Sequence, residues 1–232
     1  MALIKFGGGV VQMTGSIAGS TFARNRYGNY ARARTKPTNP NTAGQQVVRA
    51  TLSELTTRWA QTLTAGQRTA WNLYGSSVTM KNRLGEAIFL TGFNHYIRSN
   101  SIPVRLGLTP VDDGPVIYEL PEADPAFAIT ISEATQNITA TYDDTLAWAT
   151  ETGGLLCMFQ GSPQNAQRNF FAGPWLLWTA VQGVDAAPPA SPKIAPAVFA
   201  VAEGQHVWCY ARILMADGRL SEPFRNDILV AA

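Results

Sequence analysis

The chain has 232 residues, 46% of them hydrophobic and 15% charged, which supplies a packed core and excludes wholesale disorder. Its net charge of +2 hides a split: residues 1–108 carry 13 Lys/Arg and 2 Asp/Glu, while residues 109–232 carry 5 and 14. Cys157 and Cys209 are too few for a disulfide framework or a cysteine zinc site, and buried free thiols are expected. No run approaches the roughly 20 apolar residues of a membrane span, and the N-terminus lacks a signal-peptide core, so a soluble protein made in the cytoplasm is expected.

Residues 1–40 read as an extended basic arm. Its glycines suggest a phosphate loop, but no Gly-Lys-Ser/Thr ending and no clear preceding strand accompany them. Phe22, Arg24, Arg26, Tyr27, Tyr30, Arg32, Arg34 and Lys36 form the candidate partner-binding set. The cations and Tyr30 share one parity, so an extended chain lines them along one face. Tyr27-Gly28-Asn29 is the expected hairpin turn, which places arginines across from one another and calls for an anionic cover. That cover is a protein or a nucleic acid; a solvated, aggregation-resistant edge is the third reading. Pro37 and Pro40 end the strand.

Residues 41–102 read as a helical anchoring region. Thr42 and Gln45 form one capping signature, and Thr64 and Gln67 a second. Val48, Leu52, Leu55, Trp59 and Leu63 trace the apolar stripe of the first helix. A second, short helix carries Trp71 and Tyr74 and ends near Gly75, and Thr91 caps a brief third one. Trp59, Trp71, Phe93 and Tyr96 are the expected anchoring core. A DNA-reading helix-turn-helix is disfavoured, because the second helix offers a groove only Arg68 and Asn72. His95 lacks metal-ligand or catalytic neighbours in sequence.

Residues 103–125 hold five prolines and read as a linker in which Glu119, Glu122 and Asp124 are solvated charge. Residues 126–232 show seven short strand patterns, which together with the preceding helices gives an α+β chain ending in an antiparallel β-sandwich. Within the next-to-last pattern, Val207, Cys209, Ala211 and Ile213 make an apolar face; His206, Trp208, Tyr210 and Arg212 take the other.

Two stretches resemble known families. Val207-Trp-Cys-Tyr-Ala-Arg-Ile, followed by Gly218-Arg-Leu-Ser221-Glu-Pro223, is similar to the last strands of a fibronectin type III domain, with Tyr142 at the place of its early-strand Trp. The pattern Gly15-x-x-x-Gly19, Arg24-x-Arg26-x-Gly28, Arg32-x-Arg34-x-Lys36-Pro37, Gln45-Gln46-x-x-Arg49, Trp59, Gln67-Arg68-x-x-Trp71 and Gly92-Phe93-Asn94 resembles tailed-phage structural proteins. The resemblance implies a non-enzymatic virion component, made in the host bacterial cytoplasm, and a head decoration or cement protein is the favoured form. A tail or head–tail connector component, or a nucleic-acid-binding protein using the arm, is the alternative. The implied partners are the major capsid protein or other virion proteins and further copies of the chain. No cofactor, metal, catalytic residue or membrane contact is expected.

Overall fold

Four short strands open the chain: β1 (Ala2–Leu3), β2 (Gly15–Ile17), β3 (Ser20–Asn25) and β4 (Gly28–Ala33), hydrogen-bonded in the order β1-β4-β3-β2. This computed structural model describes residues 2–26, 28–35, 38–82 and 85–232. The chain divides into two compact units, Met1–Gln45 and Gln46–Ala232. No described residue before Gln46 is buried; Phe22, Ala23, Tyr30 and Ala31 are half-buried at best. Among its described residues the first unit is thus a sheet without a hydrophobic core of its own.

The second unit begins with helices. α1 (Ala43–Thr57) continues into a π-helical turn at Arg58–Thr62, and α2 (Ala65–Ser77) follows. Both N-termini carry the expected caps: the Gln45 N–H donates to Thr42 Oγ1 (3.4 Å), and Thr64 and Gln67 exchange a reciprocal pair (3.3 and 2.9 Å). α2 ends at Ser77, two residues past Gly75 and so near it, as expected. Gly75 itself leaves room for the Leu90 and Gly92 backbone atoms, which a Cβ would meet at 2.7 and 2.8 Å. A small hairpin, β5 (Thr79–Lys81) and β6 (Ala87–Phe89), follows α2; residues 83–84 between its strands lie outside the described residues. The third helix, α3 (Gly92–Arg105), is longer than the brief element expected and includes Pro103 in its last turn.

Seven strands then form two antiparallel layers, as the seven sequence patterns anticipate. β11 (Lys193–Pro196), β8 (Asn137–Thr141) and β7 (Ala128–Ile131) make one sheet. The other runs β10 (Trp175–Gln182), β9 (Leu155–Gly161), β12 (His206–Leu214) and β13 (Phe224–Leu229). Between them Ile129, Ile138, Leu156, Met158, Val207 and Cys209 share one apolar cluster. Every residue of β9 is buried, because the sheet is covered on both faces. Its outer face, through Leu155, Cys157 and Phe159, packs with Ile102 of α3 and with Leu220.

The expected linker 103–125 lies inside this unit and is pinned to the helices. Asn100 exchanges two hydrogen bonds with the Val111 backbone (2.6 and 3.0 Å). Arg58 holds Asp112 through two more (2.7 and 2.6 Å). Asp124 is buried rather than solvated, because its carboxylate accepts the backbone N–H of Ala126 and of Asp143; Glu119 and Glu122 are exposed, as expected.

Candidate interaction surface

The arm is held open as a hairpin by the β3–β4 register, in which Ser20 faces Ala33, Phe22 faces Ala31, Arg24 faces Asn29 and Asn25 faces Gly28. Paired positions therefore sum to an odd number. Even residues of β3 share a face with odd residues of β4, and the expected single row of arginines is split. Phe22 and Arg24 lie on one face; Tyr30 and Arg32 lie on the other. Arg24 opposes Asn29 and Arg32 opposes Thr21, so no arginine faces another across the ladder. This removes the like-charge conflict that the single-face reading required.

The turn falls between Asn25 and Gly28 rather than at the expected Tyr27-Gly28-Asn29, because Gly28 (φ +122°) and Asn29 already belong to β4, opposite Asn25 and Arg24. Arg26 sits in the turn and Arg34 follows β4, its N–H donating to the Gly19 carbonyl (2.8 Å). Tyr27, Lys36 and Pro37 lie outside the described residues. Arg24, Arg26, Arg32 and Arg34 are all exposed. Among the described residues none of these four arginines makes an ion pair; Arg24 alone donates to a side chain, Gln12 Oε1 (3.3 Å). Residues 1–45 contain six Lys/Arg and no Asp/Glu, so the unit cannot neutralise itself.

The anchoring core behaves differently. Trp59, Trp71, Phe93 and Tyr96 come together: Trp59 lies 5.6 Å from Phe93 and 5.4 Å from Tyr96, and Trp71 lies edge-on to Tyr96 at 5.6 Å. Such pairs contribute about 0.5–1.5 kcal/mol beyond area burial. Trp71 and Tyr96 are fully buried, so they hold the unit together and are closed to a partner. The predicted stripe along α1 is only half used. Leu55 and Leu63 are buried, but Val48 and Leu52 remain 51% and 49% exposed.

Sequence reasoning missed the polar groups that fix this core. Asp112 is a hub: besides Arg58, it accepts from Tyr96 Oη (3.2 Å), and its carbonyl accepts the Trp71 indole N–H (2.9 Å). The Asp112 contact raises the Arg58 pKa, and burial with the nearby carboxylate raises that of Tyr96. Arg98 reaches the β12–β13 connection, donating to the Leu220 and Ser221 carbonyls (2.8 and 2.9 Å). Burial, with Arg212 adding repulsion, lowers its pKa to about 10. Asp112-Asp113-Gly114 has the residue types of a turn, but nothing in the sequence marks Asp112 as a hub. Ser221 is itself structural, because its Oγ accepts the Ile213 N–H (2.9 Å).

Other candidate chemistry is engaged in structure. His206 has one ring nitrogen 2.7 Å from Asp227 and the other 3.0 Å from the Arg168 carbonyl, so neither is open to a substrate. Cys157 and Cys209 are both free and sit on opposite faces of the β9–β12 sheet, one in each apolar cluster. Among the described residues no group of three or more His, Cys, Asp or Glu is placed to hold a metal ion. Among them, too, no helix is long and apolar enough to cross a membrane. Compared with the models of known protein families and with curated proteins, the chain matches none.

Proposed function

We propose that this chain is a non-enzymatic structural protein of a phage particle, a head decoration or cement protein held in place by its basic arm. The observation that carries the reading is the first unit itself. It is a four-stranded sheet in which no described residue is buried, with six cations and no anion among residues 1–45. A sheet needs a hydrophobic face covered to be stable, and this one has Phe22 and Tyr30 half-covered on opposite faces. A protein surface that lies against both faces and presents carboxylates supplies what is missing. The pattern resemblance in residues 15–94 points to virion proteins as the source of that surface.

The C-terminal layers serve as the projecting module. Their division into three and four strands, in the orders β11-β8-β7 and β10-β9-β12-β13, supports a fibronectin type III-like module, as does Tyr142 buried against Trp148 (5.6 Å). The account is tested by replacing Arg24, Arg26, Arg32 and Arg34 together with Ala. The variant is expected to leave the particle while the second unit keeps its unfolding midpoint. Wild-type occupancy on particles would overturn the role of the arm.

A further inference from the structure

We propose that the arm's docking surface lies on a second copy of this chain, in an acid-rimmed cleft beside the 119–125 segment. The inference rests on the reading of the arm as an anchor and names what the arm grips. The cleft has a volume of about 440 Å³, within the range of roughly 300–1,000 Å³ usual for specific pockets. Its floor is apolar, with Leu120, Leu146, Trp148 and Met215. Trp148 is 1% exposed, and its indole N–H has no acceptor among the described residues.

The rim is anionic. Glu119 and Glu122 are exposed and without a hydrogen-bond or ion-pair partner among the described residues. Asp143 also lines the cleft, half-buried, with its Oδ1 already accepting the Thr145 backbone N–H and hydroxyl. Arg219 also lines the cleft, but its Nε is taken by Asp217 at 2.6 Å. An apolar floor under a carboxylate rim suits arginine, whose alkyl stem packs on hydrophobic surface while the guanidinium meets carboxylate oxygens. The arm offers such side chains without a competing acid of its own, together with Val11 and Ile17 at 85% and 58% exposure. A phosphate backbone would be repelled by the same rim.

Charge complementarity within one sequence favours a second copy as the occupant: residues 1–108 carry 13 − 2 = +11 and residues 109–232 carry 5 − 14 = −9. Arm and cleft are different surfaces, so the contact is heterologous and propagates head to tail. A net of this kind suits a protein that ties neighbouring positions on a shell.

The test uses full-length wild-type protein, Glu119→Gln/Glu122→Gln, and the four-arginine-to-alanine variant, in sedimentation velocity over a concentration series at low and high salt. Wild-type protein is expected to associate increasingly with concentration at low salt. Each variant is expected to weaken that association about tenfold, as for the loss of two or more exposed pairs. An equimolar mixture of the two variants is expected to stop at a one-to-one pair, because one brings only a cleft and the other only an arm. Circular dichroism checks the fold of both variants. Wild-type protein that remains monomeric at every concentration, or a mixture that forms no pair, would overturn the proposal. So would association unchanged by the glutamine variant. Particle occupancy separates the two readings: a chain absent from particles whose variants still pair loses only the virion assignment. An arm required on particles without pairing in the mixture loses only the cleft.

Discussion

Acid is predicted to weaken the fold through His95. The ring is fully buried on α3, edge-on to Tyr74 at 5.0 Å, and neither of its nitrogens has a hydrogen-bond partner among the described residues. Burial, with the charge of Arg98 adding, lowers its pKa from 6.5 to about 4. Tyr74, packed on the ring, is itself pushed up to about 12 by burial and stays neutral throughout. The unfolded chain takes up a proton at this position as pH falls through about 6.5; the folded chain resists until about 4. The stability due to neutral His95 is therefore fully present above that upper value, declines between the two, and is gone below the lower one. At about 1.4 kcal/mol per pH unit the gap amounts to roughly 3 kcal/mol, a large share of the 5–15 kcal/mol typical of a fold. Urea denaturation of wild-type protein and His95→Phe between pH 7.5 and 4, followed by tryptophan fluorescence, isolates the effect. Phenylalanine keeps a ring against Tyr74 and has nothing to protonate. The stability difference between the two proteins is expected to shift by roughly 3 kcal/mol toward the variant on acidification. Parallel curves across this range would refute the reasoning.

Two further predictions concern the second unit. Arg98→Met leaves the Leu220 and Ser221 carbonyls without their donor. It is expected to cost about 3 kcal/mol, two charge-assisted bonds less partial rehydration, and an unchanged urea midpoint would contradict that role. Burial pushes the Cys157 and Cys209 thiols up to about 12. Native protein at pH 8 is therefore expected to resist an aromatic disulfide reagent that labels both thiols once the chain is unfolded. Rapid labelling of folded protein would contradict their burial.

The parts of this fold legible in sequence were those set by local chemistry. The Thr64–Gln67 and Thr42–Gln45 caps start helices where their hydroxyls and amides predict. The short patterns after residue 126 became seven strands. What failed depended on partners distant in sequence. The arginine row was read from parity alone, and parity says nothing about register; the pairing of Phe22 with Ala31 sends alternate cations to opposite faces. The five prolines at 103–125 looked like a tether because proline ends regular structure. Asp112 and Val111 are instead fastened by Arg58 and Asn100, contacts that no local pattern announces. Val48 and Leu52 satisfied helical periodicity and yet stay exposed, because a stripe predicts a face and not what covers it. The anchoring aromatics were legible one helix at a time, since Trp59 continues the Leu52–Leu55 stripe and Phe93 and Tyr96 stand three apart, whereas Arg98 was hidden by its partners lying more than a hundred residues away.

The central claim, a structural protein of the particle, is most directly tested by quantitative mass spectrometry of purified particles, measuring this chain against the major shell protein. A decoration or cement protein predicts a copy number comparable to that of the shell protein, since symmetric shells repeat their surface contacts. A ring-like count of about a dozen or fewer would move the chain to the connector or tail, and its complete absence from particles would contradict the account.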